Sequence, residues 1–163
     1  MSLLLYPDVR LRTKCKPVEV FSPEIQHSID EMMDRMDEWG GIGLAAPQCG
    51  IALRMFVMHL PGQGRKAFVN PIVEDMGEGT ARLEEGCLSL PGATIEVSRP
   101  ASVLVRALDY RGSKVEMVCN GLASACVQHE TDHLDGVLIL DRAGPIDRRL
   151  ALLKVWNAEH PHR

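Results

Sequence analysis

The sequence predicts an α+β fold in which antiparallel or mixed β-sheets wrap around a central metal-binding helix, with an N-terminal and a C-terminal helix. Three observations predict it. Between residues 53 and 118, short apolar and β-branched runs alternate with Gly, Pro and Asp turn signals, the texture of successive strands. Helical periodicity lies outside that block, near residues 23–39, 121–134 and from 145 onward, and strands grouped apart from helices mark the α+β class. Finally, the middle helix carries His129 and His133 four positions apart, so that both imidazoles share one face and can reach one metal ion.

Taken in order, Pro7-Asp8-Val9-Arg10-Leu11-Arg12 and Lys16-Pro17-Val18 read as an extended arm with turn residues. Ser22-Pro23-Glu24 is a helix start: a hydroxyl cap, proline at the first helical position and an acid in the first turn. Ile25, Ile29, Met32, Met33 and Met36 give that helix its apolar face, and Gly40-Gly41 ends it. Strands are expected at 53–59, 67–70, 72–75, 80–84, 94–97, 102–108 and 114–118. Pro61-Gly62-Gln63-Gly64 and Asp109-Tyr110-Arg111-Gly112 serve as turns. The histidine helix runs from about Gly121 to Leu134, with Leu122, Ala125, Cys126, His129 and His133 in one buried stripe. A short strand at 137–140 follows. The last helix starts at Pro145, with Ile146, Leu150, Leu153 and Trp156 as its apolar stripe.

At 163 residues the chain is expected to form one domain over its whole length, 1–163, large enough to bury about two-thirds of its unfolded surface. Hydrophobic residues make up 45% and charged residues 25%, the balance of a globular protein, so no metal or disulfide staple is needed to fold it. A net charge of −4 disfavours direct nucleic-acid binding and a polybasic membrane patch, both of which need clustered Lys and Arg. Any ribosome contact is then expected to be local or weak. Five cysteines, Cys15, Cys49, Cys87, Cys119 and Cys126, without a C-x-x-C pair, fit reduced thiols in a cytoplasmic protein. There is no signal-sequence pattern, and no apolar run is long enough to span a membrane.

Two histidines do not hold a catalytic metal alone; a four-coordinate site needs a third protein ligand and keeps one position open. Glu130, next to the first histidine, sits about 100° further round the helix, where it reaches a water at the ion without being a ligand. Downstream of the helix the third ligand would have to be Asp141, Asp147, Glu159, His160 or His162. Upstream stands Glu84-Glu85-Gly86-Cys87-Leu88-Ser89, where Gly86 permits close backbone approach and the Cys87 thiolate would complete a two-His, one-Cys set. A third stretch, Gly41-Ile42-Gly43-Leu44-Ala45-Ala46-Pro47-Gln48, imitates a dinucleotide loop. Its glycines, however, follow a helix rather than a strand, and Pro47 interrupts the helix that should come next.

These three stretches in this order resemble the three motifs of the peptide deformylases, enzymes that remove the N-formyl group from nascent polypeptides. The resemblance extends to the N-terminal arm and to Arg99. It implies that Cys87, His129 and His133 bind one divalent metal ion, natively Fe2+, with Zn2+, Ni2+ or Co2+ in purified protein. It also implies that Glu130 is the general base, that the Gln48 amide and the Leu88 N–H stabilise the oxyanion, and that N-formylmethionyl nascent peptides are the partners. An extended peptide would pair near Ile42-Gly43, and Leu122, Ala125 and Cys126 would wall the methionine pocket. Asp132 either orients a ligand or favours the helix, and Arg99 either pairs with Glu85 or stands in solvent. Every metal and catalytic position of the motifs is intact; Thr94 and Thr131 depart from residues common in the family. A zinc endopeptidase would instead need a ligand downstream, and a mere binder of formylated peptides would release no formate.

Overall fold

A computed structural model describes residues 1–160. Helix α1 (Pro23–Glu38) is followed by β1 (Gly43–Ala45), β2 (Met55–Leu60), β3 (Gly64–Asp75), β4 (Thr80–Gly86), β5 (Thr94–Pro100), β6 (Ser102–Leu108) and β7 (Lys114–Asn120). Helices α2 (Leu122–Leu134), α3 (Ile139–Arg142) and α4 (Pro145–Glu159) complete the chain. Five strands form one antiparallel sheet in the order β1-β2-β3-β6-β7, and β4 pairs with β5 as a separate ribbon.

The pleat of β2 explains the layering. Met55 and Val57 point into a cluster with Ile29, Met32 and Met36 of α1. Phe56 and Met58 point the other way, into a cluster with Val127 and Leu134 of α2. Helices α1 and α2 therefore cover opposite faces of the same strand, which is why β2 reads as a continuous apolar run rather than an alternation. A third cluster joins Ile95 and Val97 of β5 to Leu138, Ile139, Ala151 and Val155. It sets the ribbon and the C-terminal helices beside the sheet, leaving α2 in the middle.

Several expectations are corrected. Ser22 does stand at the N-cap of α1, but its hydroxyl makes no capping hydrogen bond. The arm is not wholly extended, since Val9–Arg12 form a 3₁₀ turn whose first N–H groups meet Asp8. The separate strands 67–70 and 72–75 are one strand with a bulge: Asn70 takes φ 52°, the pairing with β6 shifts between Val69 and Ile72, and its carboxamide pairs with both backbone groups of Val18 at 2.8 Å. The strand expected at 137–140 is the entry to α3, because the Asp141 carboxylate accepts from the Leu138 N–H at 2.9 Å and closes a helical turn. In α4 the expected stripe, Ile146, Leu150, Leu153 and Trp156, faces solvent, while Ala151 and Val155 are buried.

Candidate metal and catalytic site

Helix α2 begins where Gly121, at φ 54° and ψ −122°, turns the chain out of β7, a conformation closed to most side chains. Its axis then runs through the protein, so polar side chains on it are buried: Ser124, His129, Glu130 and His133 are all at most 8% exposed. Each needs a partner. Ser124 donates to the Pro100 carbonyl at 2.9 Å, and His129 Nδ1 lies 2.9 Å from Glu85 Oε2. That bond leaves the Nε2 of His129 to face Cys87 and His133.

Cys87 sits just beyond the end of β4, where the ribbon delivers it to α2. Its Sγ is 3.3 Å from His133 Nε2, and the ligand atoms of Cys87, His129 and His133 all lie within 4.8 Å of one another. Of the downstream candidates, Asp141 pairs with Arg12 and Arg148, His160 stacks on Trp156, and none joins this cluster among the described residues; His162 lies outside them. A thiolate and two imidazoles form a donor set suited to a divalent transition metal. The electrostatics fit too. Burial works against charge on His129, but the Cys87 sulfur, Glu85 and Glu130 outweigh it and push its pKa well above the ordinary imidazole value. The opposite holds for His133, which burial, His129 and Arg99 keep neutral.

Glu85 is held in turn by Arg99, whose Nη2 reaches it at 2.9 Å and whose Nη1 reaches Asp132 at 2.9 Å. Arg142 closes the other side of Asp132. Arg99 is 5% exposed, so the reading of a solvated arginine is excluded, and Asp132 is linked through Arg99 and Glu85 to His129. Burial raises the Glu85 carboxyl, yet its bonds to His129 and Arg99 outweigh that and leave it below the usual range.

Glu130 lies apart from these pairs. Burial pushes its pKa up to about 7, and its Oε2 has no hydrogen-bond partner. The backbone of β1 passes so close that a Cβ on Gly43 would fall 2.4 Å from Glu130 Oε1 and 2.9 Å from Cys126 Sγ, which is why glycine stands there. The Gln48 carboxamide is fixed by the Ala45 N–H at 2.9 Å and by Ser89 Oγ at 3.1 Å, and it reaches Cys87 Sγ at 3.6 Å.

A cavity of about 550 Å³ opens onto this centre. All the expected pocket residues line it, Ile42, Gly43, Leu122, Ala125 and Cys126, together with Gln48 and Leu88. Leu122 is 52% exposed, so it belongs to the rim rather than to the buried stripe on which it was placed; Ala125 and Cys126, at 5%, form the inner wall. The Glu85–His129 bond and the role of Ser89 were not foreseen. A carboxylate two residues before the candidate cysteine was the available signal for the first; a buried serine in a turn carries none.

A family model described as polypeptide deformylase matches residues 1–149. A peptide deformylase of Chromobacterium violaceum is 42% identical over 162 residues, covering 98% of this chain and 96% of that protein. The fold matches the crystal structure of a peptide deformylase from Legionella pneumophila with a TM-score of 0.92 at 38% identity, over 99% of this chain and 98% of that one. It also matches one from Synechococcus elongatus in complex with actinonin, at TM-score 0.91 and 36% identity, over 96% and 86%.

Proposed function

The chain belongs to the polypeptide deformylase family, and from that membership we propose that Cys87, His129 and His133 hold its divalent metal ion while Glu130 moves the proton during hydrolysis. The protein is a hydrolase that removes the N-formyl group from nascent peptides and releases formate. The observation that carries the assignment of roles is the orphaned, buried Oε2 of Glu130, one residue past a ligand histidine, with a pKa near working pH.

Cys87, His129 and His133 would hold a divalent ion, which would supply the Lewis acidity that makes water a nucleophile at neutral pH. The chain's own groups do the rest. Glu130 takes the proton of the attacking water and hands it to the amine nitrogen as the C–N bond breaks. The Gln48 carboxamide, with its oxygen and one donor fixed, and the Leu88 N–H donate to the carbonyl oxygen as charge builds there. A donor of this kind is worth about 3 to 4 kcal/mol in a preorganised site. Glu85, accepting from Nδ1 of His129, would leave Nε2 free to hold the ion.

The first substrate side chain rests between Ala125, Cys126 and the Leu122 rim, and the peptide backbone pairs along Ile42-Gly43. Strand β1 supports this, being the outer strand of its sheet with only β2 beside it. Ferrous iron is the native ion, replaceable by zinc, nickel or cobalt, all of which suit a nitrogen and thiolate set. The enzyme is a single cytoplasmic domain without direct nucleic-acid or membrane contact and with at most a weak ribosome contact. Among the described residues, no helix is long and apolar enough to cross a membrane.

The test is metal analysis of anaerobically purified protein beside formate release from formyl-Met-Ala, for wild type and Cys87→Ala. Wild type is expected to carry one ion per chain and the variant almost none. Full metal occupancy in Cys87→Ala would overturn the ligand assignment, and acetate release from acetyl-Met-Ala at the same rate would overturn the substrate.

A further inference from the structure

Helix α4 has apolar side chains on both sides, and only one side is used. Ala151 and Val155 are buried against β5 and α3. Ile146 is 75% exposed, Leu150 and Leu153 52%, and Trp156 54%. Steps of four and three residues place Ile146, Leu150 and Leu153 along one line of the helix with Trp156 at its edge, all facing away from the buried pair. Single exposed leucines are ordinary, but a stripe over three turns marks an interaction surface.

The charges beside the stripe say what fits it. Arg142 and Arg148 are paired within the chain, to Asp132 and Asp141. Among the described residues, Asp147, Arg149 and Lys154 have no such ion pair, and all three are exposed. Asp147 and Lys154 stand seven residues apart on one flank of the stripe; Arg149 and Trp156 stand seven apart on the other. With Leu150 at an a position and Ile146 and Leu153 at d positions, these are the e and g flanks of a short heptad seam.

We propose that this face pairs with itself: α4 packs antiparallel on α4 of a second copy of the chain, giving a weak two-fold homodimer. In the register that sets Leu150 on the partner's Leu153, Asp147 meets the partner's Lys154 and Arg149 lies over the ring of the partner's Trp156. The two-fold axis makes each contact twice. Sliding one heptad in one direction sets Asp147 on the partner's Asp147 and Arg149 on the partner's Arg149. Sliding the other way sets Lys154 on the partner's Lys154. Charge therefore selects one register, as e and g residues do in coiled coils. A nucleic-acid partner would gain nothing from Asp147 on the flank of the face. The four side chains offer only a few hundred Å² per copy, on the order of the smallest specific interfaces, so the dimer forms at high concentration.

Sedimentation of the full-length, metal-loaded enzyme tests this over a range on the order of 10 to 300 µM. The apparent mass is expected to rise from 18.0 kDa toward twice that value. Asp147→Lys and Lys154→Asp should each stay monomeric, because each creates like charges across the axis. A mixture of the two should associate again, as should the double exchange, since both arrangements restore opposite charges. Leu153→Glu should stay monomeric while keeping its helical signal and formate release. Wild type that remains at 18.0 kDa throughout, single exchanges that associate like wild type, a mixture that stays monomeric, or association only when RNA or another protein is added would each overturn the proposal.

Discussion

Helices α2 and α4 break the same rule in opposite directions. In α2 the polar residues His129, Glu130 and His133 are buried and Leu122, apolar, is half exposed. In α4 Ile146, Leu150, Leu153 and Trp156 are exposed while the smaller Ala151 and Val155 are buried. Apolar periodicity alone would place the two helices alike. What separates them is partners: nearly every buried polar atom of α2 is matched by one at hydrogen-bond distance, and the mismatches fall at Glu130 Oε2 and His133 Nδ1. A buried polar group without a partner costs about 1 to 3 kcal/mol, so such groups persist where chemistry uses them.

The largest effect expected tests that exception. Glu130→Gln keeps the shape of the side chain and removes the base, so formate release should fall by about 10² to 10⁴-fold while metal content stays at one ion per chain. Near-normal turnover in the variant would mean that another group carries the proton. An apo variant would make Glu130 a ligand.

Next comes the support beneath α2. Arg99→Met leaves Glu85 buried without its cation and Asp132 with Arg142 alone, at a cost of about 3 to 5 kcal/mol in urea unfolding. Because Glu85 orients His129, metal affinity should also drop by about 10 to 100-fold. A loss in stability below about 1 kcal/mol would place this pair with surface ion pairs such as Arg106–Glu116.

Much of this was legible in the sequence, and the rest was not for physical reasons. Strand β6 falls where alternation placed it, and α1, α2 and α4 where caps and periodicity did. Cys87, His129 and His133 come together, and the spacing of the two histidines on one helical face is what local sequence records. The failures concern contacts made across the chain. Asn70 bends β3 because its carboxamide finds Val18, 52 residues away. Val137 to Leu140 favour a strand locally, yet Asp141 turns them into the start of a helix. The α4 stripe marks a helix correctly but does not say which side faces the protein, since Ala151 and Val155 compete for that role and win.

A smaller effect probes the wall of α2 where it meets substrate. Ala125→Phe fills the inner end of the cavity and should lower kcat/KM on formyl-Met-Ala by about tenfold, at equal metal content. Unchanged kinetics would mean that the pocket is built from other residues.

The smallest effect lies beside α4, where Asp141 meets Arg12 and Arg148 in partial solvent exposure. Burial raises the Asp141 carboxyl, but the hydrogen bonds from Arg12 and from the Leu138 N–H, with the charge of Arg148, outweigh it and hold its pKa below the usual value. A carboxylate depressed in the folded state stabilises it fully above the unfolded pKa, about 4, and stops doing so as pH falls through the folded value. Arg12→Ala returns the folded value toward the ordinary one. The variant should therefore be less stable than wild type at pH near 7, by under about 1 kcal/mol given the exposure. The difference should shrink as the pH falls below about 4 and through the folded value, where Asp141 takes up its proton. Urea unfolding across that range measures it. A difference that persists in acid would assign the effect to the packed stem of Arg12, leaving its charge without a part, and the contrast with the buried Arg99 pair under α2 would then be one of charge against packing.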